Sequence, residues 1–165
     1  MNILDLFNPI KVFVFDIDGV LTDGMLHVQE SGELLRRMNI KDGYALQLAV
    51  KKGYKVWVIS GGNSTAVRQR LEKLGVKEVH IAVKDKVRLL ESLALAAAVA
   101  PEQMLYMGDD MPDVAAMSYC GLRTCPADAV GEIRQIAHYI SPLAGGAGCV
   151  RDVIEKVMKI NGHWE

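Results

Sequence analysis

Short runs of apolar, often β-branched residues alternate along this chain with longer segments whose apolar positions recur every three or four residues. Such short runs are typical of strands that are buried on both faces of a sheet. Four of them are strong strand candidates and two are weaker: 11–16, 55–60, 78–82 and 104–108, then 121–125 and 138–141. The pattern therefore predicts a central sheet of buried strands.

Helical periodicity fills the intervals between these runs. The segments 42–53 and 63–75 begin at residues that commonly cap helices and end on glycine, and the segment 86–100 stops before a proline. A last helix is predicted near the C-terminus, over 150–160. Strands that alternate with helices favour an α/β fold of the Rossmann-like, doubly wound type, with a mainly parallel sheet and helices on both faces.

One stretch departs from the alternation. Residues 25–39 contain two short runs on either side of Glu30, Ser31 and Gly32, which predicts a β-hairpin inserted between the first strand and the first helix. No linker divides the 165 residues, so we expect one domain over residues 1–165 with no separate cap domain. Because ligands of open α/β sheets bind at the carboxyl ends of the strands, we expect the hairpin to protrude beside a site there.

Composition excludes several classes of function. Half of the residues are apolar and the formal net charge is −1, which argues against disorder and against a nucleic-acid partner. The N-terminal segment lacks the cationic start of a signal peptide, and the longest apolar run, 93–100, is far shorter than the ~20 residues of a membrane span. Cys120, Cys125 and Cys149 form no CxxC pair, so we expect reduced core thiols in a cytoplasmic protein with no membrane partner.

Two acidic clusters carry the candidate chemistry. Asp16 and Asp18 follow the first strand, at a spacing that places both side chains on one side if the strand extends that far. Asp109 and Asp110 follow the 104–108 strand, and Asp113 comes about one helical turn later. If both strands are central and parallel, the carboxylates converge and demand a cation, for which Mg²⁺ is the best-suited hard ion. The alternative is that these acids lie on solvated loops. The presence of two clusters, each at the end of a buried strand, argues against this alternative.

Two further features face the same predicted edge. Ser60 and Gly61 end the second strand and precede a helix, an arrangement in which a hydroxyl, a backbone N–H and a helix N-terminus can hold an anion. Lys86 opens the following helix. Each feature is common in proteins without a ligand, because serines often cap helices and most lysines are solvated. Their combination with the acids is what points to a phosphate site.

The order DxDGVxTDG, a strand ending in Ser-Gly, a lysine and GDDxxD resembles the haloacid dehalogenase superfamily of phosphatases over nearly the whole chain. The lack of a cap, the hairpin after TDG and GGAGCVRD at 145–152 resemble a narrower group within it, the phosphatases of phosphorylated keto-sugar acids, chiefly of 3-deoxy-D-manno-octulosonate 8-phosphate. The resemblance implies a cytoplasmic, Mg²⁺-dependent phosphoric monoester hydrolase that acts through an aspartyl phosphate and serves the synthesis of lipopolysaccharide precursors.

The resemblance also implies roles for the acids. Asp16 would be the nucleophile, and Asp18 would be the acid that protonates the leaving alkoxide and then the base that activates water. Mg²⁺ would be held by Asp16, by the backbone carbonyl of Asp18 and by Asp109. Asp110 and Asp113 would support the metal ligands or orient the lysine.

Phosphate and substrate would be held by other matched residues. Ser60, the Gly61 amide and Lys86 would bind the phosphate oxygens. A sugar acid carries a carboxylate as well, so we expect cations in the pocket and a substrate loop at the exit of the hairpin. The residues expected to contact the substrate are Asn39, Lys41, Asp42, Gly43, Arg70 and Arg151.

The resemblance implies an assembly too. In the narrower group, neighbouring subunits of a homotetramer cover the active site, and the hairpin helps to build the assembly. The glycine-rich segment 145–151 would be a mobile strap that delivers Arg151 to a neighbour's site. The alternative is an ordinary glycine-rich turn before the last helix.

Gly62 marks a departure from the family pattern. Octulosonate phosphatases often have an arginine directly after the Ser-Gly pair, and a related phosphatase of nine-carbon acids has a glutamate there. Gly62 weakly disfavours the glutamate type, so a nine-carbon sugar acid 9-phosphate (KDN or sialic acid type) stays open as the substrate. A phosphatase of another small metabolite and a non-catalytic, regulatory phosphatase-like module also stay open. A signalling receiver domain fits less well, because its phosphorylated aspartate follows a middle strand.

Overall fold

A six-stranded parallel sheet forms the centre of the molecule. The computed structural model describes residues 1–165. The strands of the sheet are β1 (Val12–Phe15), β4 (Lys55–Ile59), β5 (Glu78–His80), β6 (Met104–Met107), β7 (Leu122–Cys125) and β8 (Tyr139–Ile140). They lie in the order β5-β4-β1-β6-β7-β8, and every neighbouring pair is parallel. All six predicted strands are therefore present, and β1 is central, between β4 and β6.

Helices cover both faces of this sheet. They are α1 (Leu4–Phe7), α2 (Ile40–Lys51), α3 (Thr65–Lys73), α4 (Lys86–Ala97), α5 (Val114–Tyr119), α6 (Gly131–Ile136) and α7 (Cys149–Ile160). Alternate residues of β1 face opposite layers: Phe13 and Phe15 pack with α2, α3 and α7, whereas Val12 and Val14 pack with α4, α5 and α6. The doubly wound α/β class is confirmed. None of the helices combines the length and the apolarity needed to cross a bilayer.

The inserted hairpin is also confirmed, and there is no separate cap domain. Its strands β2 (His27–Val28) and β3 (Leu34–Leu35) pair in antiparallel fashion. Gly32 makes the turn between them with a φ of +90°, a conformation that side chains with a Cβ rarely adopt. All four residues of the two strands are exposed, so the hairpin stands away from the core.

The first long helix starts earlier than its predicted cap. Asn39, and not Asp42, caps α2, because its side-chain oxygen accepts a hydrogen bond from the Lys41 N–H at 2.8 Å. Asp42 lies inside the first turn and is buried. The other two predicted starts agree with the structure, with Ser64 capping α3 and Asp85 capping α4. All three cysteines are free and buried, as expected.

Candidate active site

The carboxyl ends of β1, β4 and β6 open into one cleft of about 290 Å³. It is lined by the predicted residues Asp16, Asp18, Ser60, Gly61, Lys86, Asp109 and Asp110, joined by Gly24, Gly62 and Pro112. No large apolar side chain lines the cleft. Residues that are up to 96 positions apart in the sequence thus meet at one edge of the sheet, as Asp16 and Pro112 do.

A tight turn, and not an extended strand, brings the first two acids together. β1 ends at Phe15, so the strand does not extend to Asp18, yet both acids line the cleft. The segment Ile17–Leu21 turns back instead, closed by the Thr22 N–H, which donates to the Ile17 carbonyl at 3.1 Å. Gly19 lies within it at a φ of +83°, where a Cβ atom would collide with the Asp109 carboxylate. Glycine is therefore required at this position for the two acidic loops to touch.

Three carboxylates crowd together at this edge of the sheet: Asp16 and Asp109 line the cleft, and Asp113 is buried beside them. Asp16, Asp109 and Asp113 each offer an oxygen within 4.8 Å of the others. Burial, and then repulsion from Asp113, raises the pKa of Asp16 well above its ordinary value. Burial and the neighbouring Asp113 and Asp110 raise the pKa of Asp109 to about 7. Negative charge is thus costly here without a cation.

Asp113 is the best satisfied of the three acids. Its Oδ1 accepts hydrogen bonds from Lys86 Nζ and from Tyr106 Oη, both at 2.8 Å, and its Oδ2 accepts from the Asp109 N–H at 3.1 Å. Because protein donors occupy both of its oxygens, the carboxylates left to bind a metal are those of Asp16 and Asp109. Two hard oxygen donors that repel each other in a polar cleft fit Mg²⁺.

Lys86 supplies the fixed positive charge of the site. Its Nζ lies 2.8 Å from Asp113 Oδ1 and 3.2 Å from Asp16 Oδ1, and the side chain is buried. Burial lowers the pKa of Lys86, but Asp16 and Asp113 outweigh that effect, and the pKa lies above its ordinary value. The ammonium is therefore a permanent cation beside the Asp16 carboxylate at neutral pH.

Ser60 is held at the end of β4. It is buried, and its Oγ accepts a hydrogen bond from the Gly62 N–H at 3.1 Å. The helix that follows begins only at Thr65 and is capped by Ser64. The groups of this loop that line the cleft and could bind an anion are therefore the Ser60 hydroxyl and the Gly61 backbone.

Two residues of the site were not predicted from the sequence. Tyr106 lies within a predicted strand, and nothing in its spacing marks a phenol that donates to Asp113. Arg36 lies in the hairpin, next to another arginine, yet its Nε donates to Asp18 Oδ1 at 2.6 Å and its Nη2 to Asp18 Oδ2 at 3.3 Å. Strand alternation predicts that Arg36 and Arg37 lie on opposite faces of the hairpin. It does not predict which of the two faces the cleft.

Known phosphatases are similar to this chain in sequence. No family model matches the sequence. The 3-deoxy-D-manno-octulosonate 8-phosphate phosphatase KdsC of Escherichia coli K12 is 33% identical over 153 residues, which cover 93% of this chain and 81% of that protein. This chain belongs to the KdsC family. A similar solved structure is labelled a hydrolase of the HAD (haloacid dehalogenase) superfamily, in agreement with the resemblance.

Solved structures of KdsC-type proteins share the whole fold. The 3-deoxy-D-manno-octulosonate 8-phosphate phosphatase of Moraxella catarrhalis, in complex with a magnesium ion, a phosphate ion and KDO, has a TM-score of 0.91 and 29% identity over 96% of this chain and 91% of that one. The cobalt-bound phosphatase of Haemophilus influenzae has a TM-score of 0.89 and 32% identity over 95% of this chain and 91% of that one.

None of the expected substrate-contacting residues lines the cleft of this KdsC-family chain. Asn39 caps α2 and its Nδ2 donates to the Gly146 carbonyl at 3.2 Å. Lys41 and Arg70 are exposed on the helices α2 and α3. A Cβ atom at Gly43 would lie 3.3 Å from Arg70 Nη2, so this glycine lets the two helices approach each other.

Asp42 is a structural residue in this chain. Its Oδ1 accepts a hydrogen bond from the Arg151 N–H at 2.9 Å and so satisfies a free donor at the start of α7. Its Oδ2 is buried and has no partner. Burial accordingly raises the pKa of Asp42 to about 6. The carboxylate joins α2 to α7 and faces no part of the cleft.

The glycine-rich segment packs on its own chain. The Gly145 N–H donates to Asp128 Oδ1 at 3.0 Å, and the Gly146 N–H donates to the Val20 carbonyl at 3.0 Å. Arg151 lies in the first turn of α7, with its guanidinium 5.1 Å from the ring centre of Trp164 and 5.8 Å from that of Tyr44. Close backbone contacts therefore hold the segment within this chain, and delivery of Arg151 to a neighbouring subunit's site stays a prediction.

Proposed function

We propose that this protein is a magnesium-dependent phosphatase that hydrolyses 3-deoxy-D-manno-octulosonate 8-phosphate to the free sugar acid and phosphate. The observation that carries the proposal is the convergence of Asp16, Asp109 and Lys86 at one polar cleft. The substrate is argued from the KdsC relatives, one of which was solved with magnesium, phosphate and KDO.

The metal has a defined place in this proposal. Asp16, Asp109 and the backbone carbonyl of Asp18 would hold Mg²⁺, which when bound offsets the charge of the carboxylates and of the substrate phosphate. Lys86 adds a second positive charge from the protein. A carboxylate nucleophile and a phosphate dianion can then approach each other without prohibitive repulsion.

The first step transfers the phosphoryl group to the protein. A carboxylate oxygen of Asp16 attacks phosphorus, and the bond between phosphorus and the sugar oxygen breaks. The carboxyl group of Asp18 gives its proton to the departing alkoxide, which leaves as the free hydroxyl of the sugar acid. Ser60, Gly61 and Lys86 hold the remaining phosphate oxygens during this transfer.

The second step regenerates the nucleophile. Water attacks the phosphorus of the aspartyl phosphate, and the Asp18 carboxylate accepts the proton that the water loses. The bond between phosphorus and Asp16 then breaks, so that Asp16 is a carboxylate again, Asp18 is protonated and phosphate is released. One water molecule is consumed for each ester, and every residue returns to its starting state.

We further propose that the protein is a homotetramer in which a neighbouring subunit completes the active site. The cleft has no large apolar wall that would contact the carbon chain of a sugar acid. The hairpin exposes apolar side chains that water solvates poorly, including Met25 at 72% and Val28 at 68% exposure. Burial of this surface between subunits accounts for both features. Light scattering at micromolar concentration tests the assembly, and a monomer would contradict it.

We also place the protein in the cytoplasm. The three buried cysteines are unpaired, and a reducing compartment keeps thiols in that state. Cell fractionation with a cytoplasmic marker tests this location, and recovery with periplasmic proteins would contradict it.

Phosphate release across a substrate panel tests the activity. The panel contains 3-deoxy-D-manno-octulosonate 8-phosphate, a nine-carbon sugar acid 9-phosphate, hexose phosphates and nucleotides, each with Mg²⁺ and with EDTA. We expect a steep, Mg²⁺-dependent preference for the eight-carbon acid. Preference for another ester would overturn the substrate, and no release from any ester would overturn the enzyme assignment.

The variant Asp16→Asn provides the matched negative control. It keeps the shape of the side chain but removes the nucleophilic carboxylate, so turnover is expected to disappear. The fold is expected to stay intact, because the charge it removes is one that burial disfavours. Circular dichroism verifies the fold, and full activity in this variant would contradict the role of Asp16.

A further inference from the structure

The hairpin buries one of its two arginine side chains. The Arg36 side chain is 8% exposed, whereas that of the adjacent Arg37 is 90% exposed and pairs with Asp23 at 2.8 Å. Every strand residue of the hairpin is exposed. A guanidinium withdrawn from water is costly unless it is well paired, so the position of Arg36 calls for an explanation.

All side-chain hydrogen bonds of Arg36 go to Asp18. Nε lies 2.6 Å from Oδ1, and Nη2 lies 3.3 Å from Oδ2. A forked contact of this kind fixes the plane of a carboxylate as well as its distance. The shorter contact holds Oδ1 firmly, whereas the longer one leaves Oδ2 less tightly bound.

Gly62 shows which way Oδ2 faces. A Cβ atom built on Gly62 would lie 3.0 Å from Asp18 Oδ2, 3.4 Å from Arg36 Nη2 and 3.5 Å from Ser60 Oγ. Asp18 Oδ2 therefore points to the side of the cleft where Ser60 would hold the phosphate. The absence of a side chain at position 62 leaves the room for this arrangement.

We propose that Arg36 is a positioning residue for Asp18, which holds Oδ1 and directs Oδ2 towards the leaving-group oxygen of the substrate. The inference rests on the proposed function, since it specifies how the proton donor of that reaction is aimed. Asp18 uses Oδ2 to transfer the proton when the bond between phosphorus and the sugar oxygen breaks. Arg36 touches Asp18 and stays bound to Oδ1 throughout.

Two substrates separate this role from a structural one. An alkyl phosphate such as the octulosonate 8-phosphate needs a proton on its leaving oxygen, whereas p-nitrophenyl phosphate releases a stable phenolate without one. First-turnover release of each leaving group is measured by rapid quench with enzyme in excess. This measurement reports the first transfer alone, before water attacks the aspartyl phosphate.

The variant Arg36→Gln is expected to slow first-turnover release of the sugar acid by about 10- to 100-fold, because small errors in position cost this much. Release of nitrophenolate and KM for the alkyl ester are expected to stay at wild-type values. Arg36→Lys keeps one contact and should recover part of the lost rate. Arg37→Gln, which removes the exposed neighbouring arginine, is the matched control and should match wild type with both substrates.

Three outcomes would overturn the inference. Equal slowing with both esters would indicate a structural role, a raised KM with unchanged kcat would indicate a substrate contact, and wild-type rates would indicate no role. If Arg36→Gln fails to fold, Arg36→Lys tests the same geometry, because the single contact that it keeps does not fix the plane of the carboxylate, and it should slow only the alkyl ester. The variant Asp18→Asn runs in parallel. If Asp18→Asn releases the sugar acid at the wild-type rate, the proposed function fails. If Asp18→Asn is slow but the Arg36 variants release the sugar acid at the wild-type rate, only the inference about Arg36 fails.

Discussion

Asp113 shows how one fully buried residue holds an active site together. It accepts hydrogen bonds from Lys86 of α4, from Tyr106 of β6 and from the backbone of Asp109 in the loop after β6. A Cβ atom on Gly108 would lie 2.5 Å from the Asp113 Cβ. Only glycine therefore fits at position 108, directly after β6. The position of the Lys86 ammonium thus depends on an acid whose two oxygens both accept hydrogen bonds from the protein.

The variant Asp113→Asn is expected to lower the free energy of unfolding by about 3 to 5 kcal/mol, because it leaves the buried Lys86 without its closest counter-charge. Turnover should fall as well, since the ammonium is no longer held in place. Tyr106→Phe is the matched comparison: it removes one hydrogen bond to the same carboxylate and is expected to cost about 1 kcal/mol. Urea denaturation measures both values, and equal losses would contradict the importance of the ion pair.

At the scale of elements, the turn after β1 and the glycine-rich segment before α7 depend on each other. A Cβ atom on Gly145 would collide with the Gly19 carbonyl, and one on Gly146 would lie 2.6 Å from the Asp23 nitrogen. The turn that carries Asp18 is therefore packed from behind by backbone. This close packing gives the glycines a role within one chain.

We expect Gly145→Ala to move the Asp18 turn, with a loss of about 1 to 3 kcal/mol of stability and a marked loss of activity. The matched control is Gly131→Ala, where a Cβ atom meets nothing within 4 Å. Thermal unfolding and phosphate release measure the two effects. If both variants behave alike, the contact between the two backbones has no functional weight.

The α2–α7 junction predicts a dependence of stability on pH. Burial raises the pKa of Asp42 to about 6, above the value near 4 of an unfolded chain. The folded protein therefore binds the extra proton, so the contribution to stability is present below about pH 4 and is lost as the pH rises through 6.

The variant Asp42→Asn removes this titration. The free energy of unfolding of wild type, relative to that of the variant, is expected to fall by up to about 3 kcal/mol between pH 4 and pH 7. Urea titrations at each pH measure the difference in the free energy of unfolding between wild type and variant. The contributions of the other titrating groups are the same in both proteins and cancel in this difference. A difference that is constant with pH would contradict the raised pKa.

At the scale of the whole molecule, the acidic edge of the sheet couples metal binding to stability. Because Asp16 and Asp109 repel each other in the folded state only, a cation that binds between them stabilises that state. At 100 times its Kd, Mg²⁺ is expected to stabilise the folded state by about 2.7 kcal/mol. The unfolding temperature should rise accordingly. Asp109→Asn should abolish most of this response, whereas Asp5→Asn, which changes an exposed acid of α1, should keep it. Differential scanning fluorimetry with Mg²⁺ and with EDTA decides the question.

The pattern along the chain determined the sheet, its helices, the hairpin and the placement of Asp16, Ser60, Lys86 and Asp109. These features depend on local periodicity and on the rule that parallel strands end at one edge. Each strand carries its own signal in four to eight neighbouring residues. The acidic and phosphate-binding groups could therefore be predicted to meet without any knowledge of individual contacts.

Tertiary structure alone decided which side chains pair across these elements. Arg36 reaches Asp18 over 18 positions, and Asp42 meets the Arg151 backbone over 109 positions. Local sequence carries no record of such pairs, because a charged residue on a hairpin or in a first helical turn looks the same whether it faces water or a partner. For the same reason, the sequence did not indicate that the predicted substrate contacts lie outside the cleft of their own chain. Their side chains and backbone hold α2, α3 and α7 together or remain in solvent, since the packing of these helices, and not their sequence spacing, sets which face each residue presents.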